Sequence, residues 1–384
     1  MDPDRLHAVI VQEMARRRAE VVAIDDRLAP LTDRVIDFVS NGGKRIRPEF
    51  LWCGWLSAGH RPAAPDDQPD DRPDDRPDDR PDGRRDDRPD DTPVLQVAAA
   101  LELIQACALI HDDVIDRSER RRGAPSTHRA VAKEHADAGL AGDSEHYGLS
   151  AAVLLGDLAL AWADDLYTAG AQALDAVDRS QPVWRAMRTE VLAGQLLDLI
   201  TAARTAAAPW EQAADAMRVN RFKTAAYTVE RPLHLGAALA GAGAATIEAL
   251  RTYGADIGVA FQLRDDLLGV FGDPAVTGKP AGDDLLEGKR TLLLATARAA
   301  LRADPDLLAE LDAGIGDPRA PVQHLASIIA ATGAPQQMEG RIDELVAGGL
   351  AALAALDADG RPAVAPAARS RLTELAGIAT DRRR

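Results

Sequence analysis

Apolar residues recur at three- and four-residue intervals along most of this chain, which is the spacing of one buried face of an α-helix. The clearest stretches are Val94 to Ile115, Ser150 to Thr168, Pro182 to Ala203, Ile247 to Phe271 and Met338 to Leu356. They are rich in Ala and Leu, which favour helices, and alternating strand patterns bounded by turn residues are hard to find. The pattern therefore predicts an all-α protein whose helices pack on one another.

One segment interrupts the helical pattern. From Asp66 to Pro93 the chain repeats an Asp-Asp-x-Pro tetrad, and the next apolar side chain is Val94. Proline at every fourth position prevents a helix, and the charge density prevents a core. We therefore expect residues 61–93 to be a disordered surface insertion between two helices. Its many Asp-Asp pairs cannot hold a metal ion in a fixed geometry.

The overall charge narrows the class of partner. The chain has 384 residues and a formal charge of -16, and residues 66–91 contribute 13 Asp against 6 Arg. The insertion thus holds nearly half of the excess negative charge. A net acidic surface argues against a nucleic-acid partner, because the phosphate backbone rewards clustered Lys and Arg. Any anion that binds this protein must meet a local basic cluster.

Compartment and redox state follow from simple features. Cys53 and Cys107 are too few for a disulfide framework and do not have metal-ligand spacing, so we expect reduced, structural thiols. The N-terminal residues lack the apolar stretch of a signal peptide. The longest apolar runs, such as Val97 to Ile110 with Glu102 inside, fall short of a membrane span. We therefore expect a cytoplasmic protein without a transmembrane segment.

The first candidate for chemistry is the sequence His111-Asp112-Asp113-Val114-Ile115-Asp116 at the end of an apolar helix. The spacing puts Asp112 and Asp116 on one face, one turn or roughly 5 Å apart, with Asp113 alongside. Carboxylates this close repel one another unless a cation compensates, and hard oxygen ligands suit Mg²⁺. A solvated helix end is the alternative for such a motif in isolation.

The motif is accompanied by basic turns and a second acidic pair. Arg120-Arg121-Arg122-Gly123 follows it, and Gly42-Gly43-Lys44-Arg45-Ile46-Arg47-Pro48 precedes it. Phe261-Gln262-Leu263-Arg264-Asp265-Asp266 comes late in another long apolar helix, and a Gly- and Pro-rich stretch with Lys279 then leads to Lys289. Two acidic helix ends and several cationic turns predict a site for Mg²⁺ and more than one diphosphate, with an apolar channel between the helices.

In these motifs the chain resembles the polyprenyl synthetase family of trans-isoprenyl diphosphate synthases. The resemblance rests on GGKRIRP, HDDVID with the following RRG, RFKTA, FQLRDD and GKPAGDDLLEGKRT in this order. It covers nearly the whole chain from about Leu28, apart from the insertion. It implies the isoprenoid synthase fold: a single-domain bundle of antiparallel helices around a deep central cavity, usually assembled as a homodimer.

The resemblance also implies roles for individual residues. Mg²⁺, three ions per active site, would be held by Asp112, Asp116 and Asp265, with Asp113 and Asp266 as further catalytic carboxylates. The allylic diphosphate would contact Arg121, Lys223, Lys279 and Lys289. Isopentenyl diphosphate would be bound by Lys44, Arg47, Gln105 and Arg122. Thr224 and Gln262 would face the reacting carbons.

Two positions depart from the family pattern. Many relatives have a third aspartate in the second motif where this chain has Gly269, so Asp266 or water is expected to complete the coordination shell. Many relatives have His where this chain has Gln105, which can donate a hydrogen bond to phosphate but cannot become cationic.

The implied reaction is the head-to-tail condensation of isopentenyl diphosphate with an allylic diphosphate. Successive turns before Asp112 present Ala108 with Cys107, then Ile104, and then Leu101. The resemblance implies that an aromatic residue at Ala108 or Cys107 would stop growth at C15, and none is present. We therefore predict geranylgeranyl diphosphate (C20), with a farnesyl (C15) or a longer product (C25 and above) as the alternatives.

Two other functions compete with this prediction. A class I terpene cyclase also uses a DDxxD motif, but the nearest match to its second metal motif is Asn220, Thr224 and Thr228, which lacks the last ligand. A cyclase also has no need of Lys44 and Arg47. A non-catalytic partner subunit of another synthase is the second competitor, and the intact first acidic motif speaks against it.

Overall fold

The structure is a computed structural model that describes residues 1–41, 43–59, 91–121, 123–203, 209–273 and 281–380. The helices in these ranges are α1 Pro3–Val22, α2 Ala29–Ser40, α3 Ile46–Ser57, α4 Thr92–Ile115, α5 Thr127–Asp137, α6 Ser144–Ala173, α7 Val177–Ala203, α8 Pro209–Val219, the π-helical segment Asn220–Glu230, α9 Arg231–Leu239, α10 Ala244–Phe271, α11 Asp283–Leu286, α12 Leu292–Ala300, α13 Pro305–Gly314, α14 Val322–Ala331, α15 Ala334–Ala352 and α16 Pro366–Thr380. Short 3-10 turns cover Asp26–Leu28 and Leu301–Ala303. The strands β1 Arg120–Arg121 and β2 Ala124–Pro125 form an antiparallel pair. The all-α prediction is confirmed.

The predicted helices are present, and the differences lie at their ends. α6 begins at Ser144 rather than Ser150, because the side chain of Asp143 caps it by accepting hydrogen bonds from two backbone N–H groups of the first turn. α15 ends at Ala352, before the predicted Leu356. Helix ends depend on local caps, which the periodicity of apolar residues does not report.

The end of the predicted insertion needs correction. α4 begins at Thr92, so residues 92 and 93 are helical, and a proline in the first helical turn is compatible with this start. Asp91 is buried and its carboxylate lies 3.1 Å from Nη1 of Arg5 on α1. The prediction that the insertion extends to residue 93 is therefore wrong at this end, and its residues 61–90 lie outside the described ranges.

Helix α4 is the centre of the largest core. It packs most extensively against α6, and its alanines, such as Ala98 and Ala106, let the neighbouring helices approach closely. By length and composition α4 could cross a membrane, so the expectation that its apolar run is too short is wrong; 72% of that run, however, is buried inside the protein. Its apolar character is thus used in packing.

Helix α10 is the centre of the other half of the bundle. One face packs on α15 and the C-terminal helices, and a second core joins α10 to α3, α9 and α16. The π-helical segment lies between α7 and α10 and contacts both. Both acidic motifs lie near the C-terminal ends of core helices, the first in α4 and the second in α10.

Cys53 and Cys107 are free and buried, as predicted, and burial raises the pKa of each thiol to about 12.

Candidate active site

A cavity of about 740 Å³ opens between the helices that carry the two acidic motifs. Its walls come from α4, α6, α7, the π-helical segment and α10, together with the turn before α3 and residues 284–291. Residues that are far apart in the sequence thus face one space. The predicted site residues that line it are Lys44, Arg47, Ile104, Gln105, Cys107, Ala108, Asp112, Asp116, Arg121, Lys223, Thr224, Gln262, Asp265, Asp266 and Lys289.

Asp113 is a predicted site residue that the structure places in the core instead. It is 0% exposed, and Arg121 donates two hydrogen bonds to its Oδ1, at 2.9 Å from Nε and 2.6 Å from Nη2. Burial raises the pKa of Asp113, and Arg121 opposes this shift. Its position fits an anchor for Arg121, which lines the cavity, rather than a group that touches substrate. Arg122 and Lys279 lie outside the described residues.

Asp112 is connected to α7 and to the π-helical segment. Nε2 of Gln195 donates a hydrogen bond of 3.0 Å to its carboxylate, and Nζ of Lys223 lies 3.1 Å from the same oxygen. Lys223 also donates to Asp198 at 2.6 Å. Burial would lower the pKa of Lys223, but Asp112 and Asp198 outweigh burial and raise it. Lys223 is therefore held as a cation between two carboxylates.

Asp116 shows how strongly negative charge is concentrated at the end of α4. Asp116 is exposed by side-chain area, but the surrounding protein atoms partly desolvate its carboxylate; this desolvation, followed by repulsion from Asp112, raises its pKa to about 6. The C-terminal end of a helix carries a partial negative charge, so its dipole also disfavours these carboxylates. A divalent cation at this point would offset both the repulsion from Asp112 and the unfavourable helix dipole.

The two aspartates of the second motif differ in accessibility. Asp265 is exposed on the cavity wall, whereas Asp266 is buried and receives a hydrogen bond of 2.8 Å from Nε2 of Gln262. Asn220 donates to Asp266 at 3.4 Å, and Nζ of Lys289 lies 3.6 Å away. Burial raises the pKa of Asp266 to about 6, with Lys289 opposing the shift. Asp265 is thus the more accessible of the two carboxylates to an ion in the cavity.

A carboxylate from elsewhere in the chain stands against Gly269. A Cβ atom built on Gly269 would lie 2.2 Å from Oδ2 of Asp284, which also lines the cavity. The same Oδ2 accepts a hydrogen bond of 3.1 Å from Lys289. Asp284 therefore occupies the space that a side chain at position 269 would take. The expectation that Asp266 or water completes the coordination shell stays a prediction.

The turn before α3 is fixed by its middle residue. Arg45 has a left-handed backbone (φ 50°), and its guanidinium pairs with the buried Glu102 of α4 and donates a 2.6 Å hydrogen bond to the carbonyl oxygen of Val39. This anchor orients the turn so that Lys44 and Arg47, on either side of Arg45, line the cavity.

Arg47 is held by the π-helical segment. Its guanidinium carbon lies 4.0 Å from the ring centroid of Tyr227, and Nη2 donates a 2.9 Å hydrogen bond to Oγ1 of Thr228. Lys223 and Thr224 lie on the same segment and also line the cavity. Irregular helices of the π type are frequent at functional sites because they change which side chains share a face.

Sequence reasoning missed several cavity residues. Gln195 and Asp198 are polar, three positions apart and set in an apolar stretch of α7, so the spacing contained a signal for them. Tyr227 and Asp284 gave no such signal, because their contacts depend on how separate segments fold together.

The donor set fits magnesium. Asp112, Asp116 and Asp265 line one cavity. Within the described ranges, no group of three or more His, Cys, Asp or Glu side chains could hold a metal ion by itself. Mg²⁺ usually keeps several waters and takes substrate phosphate oxygens as ligands, so an open set of carboxylates suits it.

The helical bundle, its cavity and these opposed acidic and basic groups suit an enzyme that handles metal-bound diphosphates, the class to which trans-prenyltransferases belong. The sequence model of the family described as polyprenyl synthetase matches residues 29–331. The chain belongs to the polyprenyl synthetase family.

Individual relatives agree with this assignment. A geranylfarnesyl diphosphate synthase of Aeropyrum pernix is 34% identical over 250 residues, which are 64% of this chain and 71% of that protein. A geranylgeranyl diphosphate synthase of Mycobacterium tuberculosis is 32% identical, with 67% of each chain covered. The crystal structure of a geranylgeranyl pyrophosphate synthase from Corynebacterium glutamicum, complexed with isoprenyl diphosphate and magnesium, is similar with a TM-score of 0.85, 42% identity and full coverage of both chains.

Proposed function

We propose that this enzyme condenses isopentenyl diphosphate with allylic diphosphates and releases geranylgeranyl diphosphate as its main product. The observation that carries the proposal is the apolar lining below Asp112, where Ala108, Cys107 and Ile104 face the cavity and none is aromatic. Relatives named as geranylgeranyl, geranylfarnesyl and farnesyl diphosphate synthases bracket this product.

The depth of the cavity supports C20. Ala108 and Ile104 are one and two helical turns from Asp112, or about 6 and 12 Å along the axis. The family resemblance implies that a block at the first turn gives C15. Each turn is about as long as one isoprene unit, so a floor at the second turn corresponds to C20. Leu101, a further turn down, is fully buried in the core.

The proposal assigns the acidic ends of α4 and α10 to magnesium. Asp112, Asp116 and Asp265 would hold three Mg²⁺ ions, with Asp284 beside the second motif. Bound Mg²⁺ would supply electrostatic stabilisation of the diphosphate leaving group. Arg121, Lys223 and Lys289 would stabilise the same leaving group, and Lys279 is a further predicted contact.

Isopentenyl diphosphate is assigned to the opposite basic turn. Lys44 and Arg47 offer cations at the cavity wall, Gln105 adds a hydrogen-bond donor, and Arg122 remains a predicted fourth contact. Arg47 is pre-oriented by Tyr227, so little side-chain freedom is lost on binding. Thr224 and Gln262 lie between the two diphosphate sites in this assignment, beside the reacting carbons.

The reaction then follows from charge development. Ionisation breaks the allylic C–O bond and moves its electron pair to the diphosphate, whose growing charge the lysine and arginine side chains stabilise. The double bond of isopentenyl diphosphate attacks the allylic cation and forms the new C–C bond. Loss of a proton to the departing diphosphate gives a longer allylic diphosphate. The apolar wall excludes water, which would quench the cation.

Replacing Ala108 by Phe tests the product assignment. The ring would fill the cavity one turn below Asp112, so the main product should shorten from C20 to C15. Products formed from labelled isopentenyl diphosphate, Mg²⁺ and C5 to C15 primers are dephosphorylated and separated by chain length. Ala351→Phe, on an exposed position of α15, is the matched control and should leave the products unchanged. A wild-type product other than C20, or an Ala108→Phe product of unchanged length, would contradict the proposal.

Assembly and location remain predictions of the same proposal. Apolar side chains are exposed on α6 and α7 outside the cavity, namely Val153, Leu154, Leu196 and Ile200. Exposed apolar patches are typical of protein interfaces, which supports the proposed homodimer. The cytoplasmic location stays a prediction from the sequence.

A further inference from the structure

The cavity is lined by a charged residue that the reaction does not use. Arg188 lines the cavity on α7, on the same helical face as Val191 and Gln195. Gln195 contacts Asp112 at the acidic rim, and Arg188 lies seven residues before it, or about 10 Å along the axis in the direction away from the rim. Arg188 therefore borders the part of the cavity that would receive a hydrocarbon tail.

Arg188 is fixed in this position by α6. Its Nη1 pairs with Oδ2 of Asp164, and Oδ1 of Asp164 accepts a 2.6 Å hydrogen bond from Nε1 of Trp184. The guanidinium lies 5.9 Å from the Trp184 ring, which in turn stacks on Tyr167 at 4.4 Å. Trp184 and Tyr167 are buried. The guanidinium thus lies beside a buried aromatic pair, and the ion pair itself is partly exposed, 30% at Arg188 and 43% at Asp164.

The depth of Arg188 matches that of the proposed floor on α4. Ile104 lies two turns below Asp112, and Arg188 two turns below Gln195, which binds Asp112. Leu160 on α6 and Val191 line the apolar wall beside them. Nε of Arg188 is buried and has no hydrogen-bond partner in the described structure. A longer hydrocarbon tail would have to bury the rest of the guanidinium as well.

We propose that Arg188, positioned by Asp164, is the specificity-determining residue that closes the hydrocarbon channel on the α7 side. Growth stops when the next isoprene unit would press an apolar chain against a guanidinium that is already paired and partly desolvated, because burying a charge without new polar partners is unfavourable. Ile104 forms only the α4 side of this floor. The inference rests on the proposed function and deepens it, since it names what sets the chain length.

The test compares product lengths of full-length variants supplied with isopentenyl diphosphate, Mg²⁺ and a C15 or C20 primer. Arg188→Ala and the volume-conserving Arg188→Met should lengthen the main product by at least one isoprene unit. Their use of a C20 primer, measured as kcat/KM, should rise at least about tenfold, the scale of discrimination that apolar pockets give. Arg188→Lys should keep the wild-type length.

Controls separate this role from a structural one. Arg185→Ala removes an exposed arginine of the same helix and should change nothing. Asp164→Asn should broaden the product range, whereas Asp164→Glu should keep the wild-type range. Loss of a merely structural ion pair would lower the melting temperature without changing the product range. Wild-type product lengths from both Arg188→Ala and Arg188→Met, with unchanged melting temperature, would overturn the inference. If Arg188 fails this test but Ala108→Phe still shortens the product, the proposed function stands without the role of Arg188. If the wild-type enzyme makes no C20 product, the product assignment itself is refuted.

Discussion

Asp112→Asn should lower kcat by about 10²- to 10³-fold with little change in melting temperature, because losing one group that stabilises the charge on a leaving group lowers kcat by this factor. Asp112 faces the cavity, and its carboxylate is the shared contact of Gln195 and Lys223. The amide keeps the shape and can accept a hydrogen bond, but it removes the charge that would bind Mg²⁺. Initial rates measured over a range of Mg²⁺ concentrations give both the loss of turnover and the weakened metal dependence.

The control for Asp112→Asn is an aspartate of the same chemistry outside the cavity. Asp343 is exposed on α15 and is not a cavity residue, so Asp343→Asn should have wild-type kinetics. Near-normal turnover of Asp112→Asn at saturating Mg²⁺ would show that the first motif is not the metal site. A direct measurement of Mn²⁺ binding by electron paramagnetic resonance separates loss of metal from loss of chemistry.

Gly194→Ala should impair both stability and catalysis although it adds a single methyl group. A Cβ atom at this position would lie 2.3 Å from the backbone nitrogen of Lys223, so α7 and the π-helical segment would have to separate. Overpacking of this kind costs about 1–3 kcal/mol of unfolding free energy. Because Lys223 would move away from Asp112, we also expect kcat to fall by about 10²-fold, the effect of a displacement near 1 Å in a catalytic group.

The matched control uses a glycine in open space. Gly340 lies in α15 and is exposed, and a Cβ atom added to it would meet no neighbouring atom within 4 Å. Gly340→Ala should therefore raise the unfolding free energy by about 0.5–1 kcal/mol, since alanine favours the helix. Chemical denaturation and steady-state kinetics on both variants check the pair. Equal stability of Gly194→Ala and wild type would mean that the two helices are not in contact as described.

The sequence predicted the parts of the site that depend on spacing within one helix. Asp112 and Asp116 are four residues apart and both line the cavity, as the helical repeat requires. Asp113 lies next to Asp112 and therefore points elsewhere, but its burial against Arg121 depends on the turn that brings the chain back after α4. Motif spacing separated Asp113 from the two metal ligands but did not show that it is buried.

Features that depend on contacts between distant segments could not be predicted. Asp284 reaches Gly269 only because α11 folds against α10, and no periodic pattern connects the two positions. Nothing in the sequence distinguished Arg188 from other arginines on long helices, because only the folded structure shows that its face of α7 lines the cavity. The helical start at Thr92 was missed because its proline resembles the prolines of the preceding repeat, although proline is well tolerated in a first turn.

The pairing of Asp91, the residue before α4, with Arg5 attaches the start of α4 to α1. At the other side, the carbonyl oxygen of Ser57, the last residue of α3, accepts a 3.2 Å hydrogen bond from the backbone of Ala365. Both borders of the repeat are therefore held by partners in the bundle. Because neither attachment uses a side chain or backbone group of residues 66–90, variants with whole tetrads added or removed should keep both attachments and the same catalytic framework.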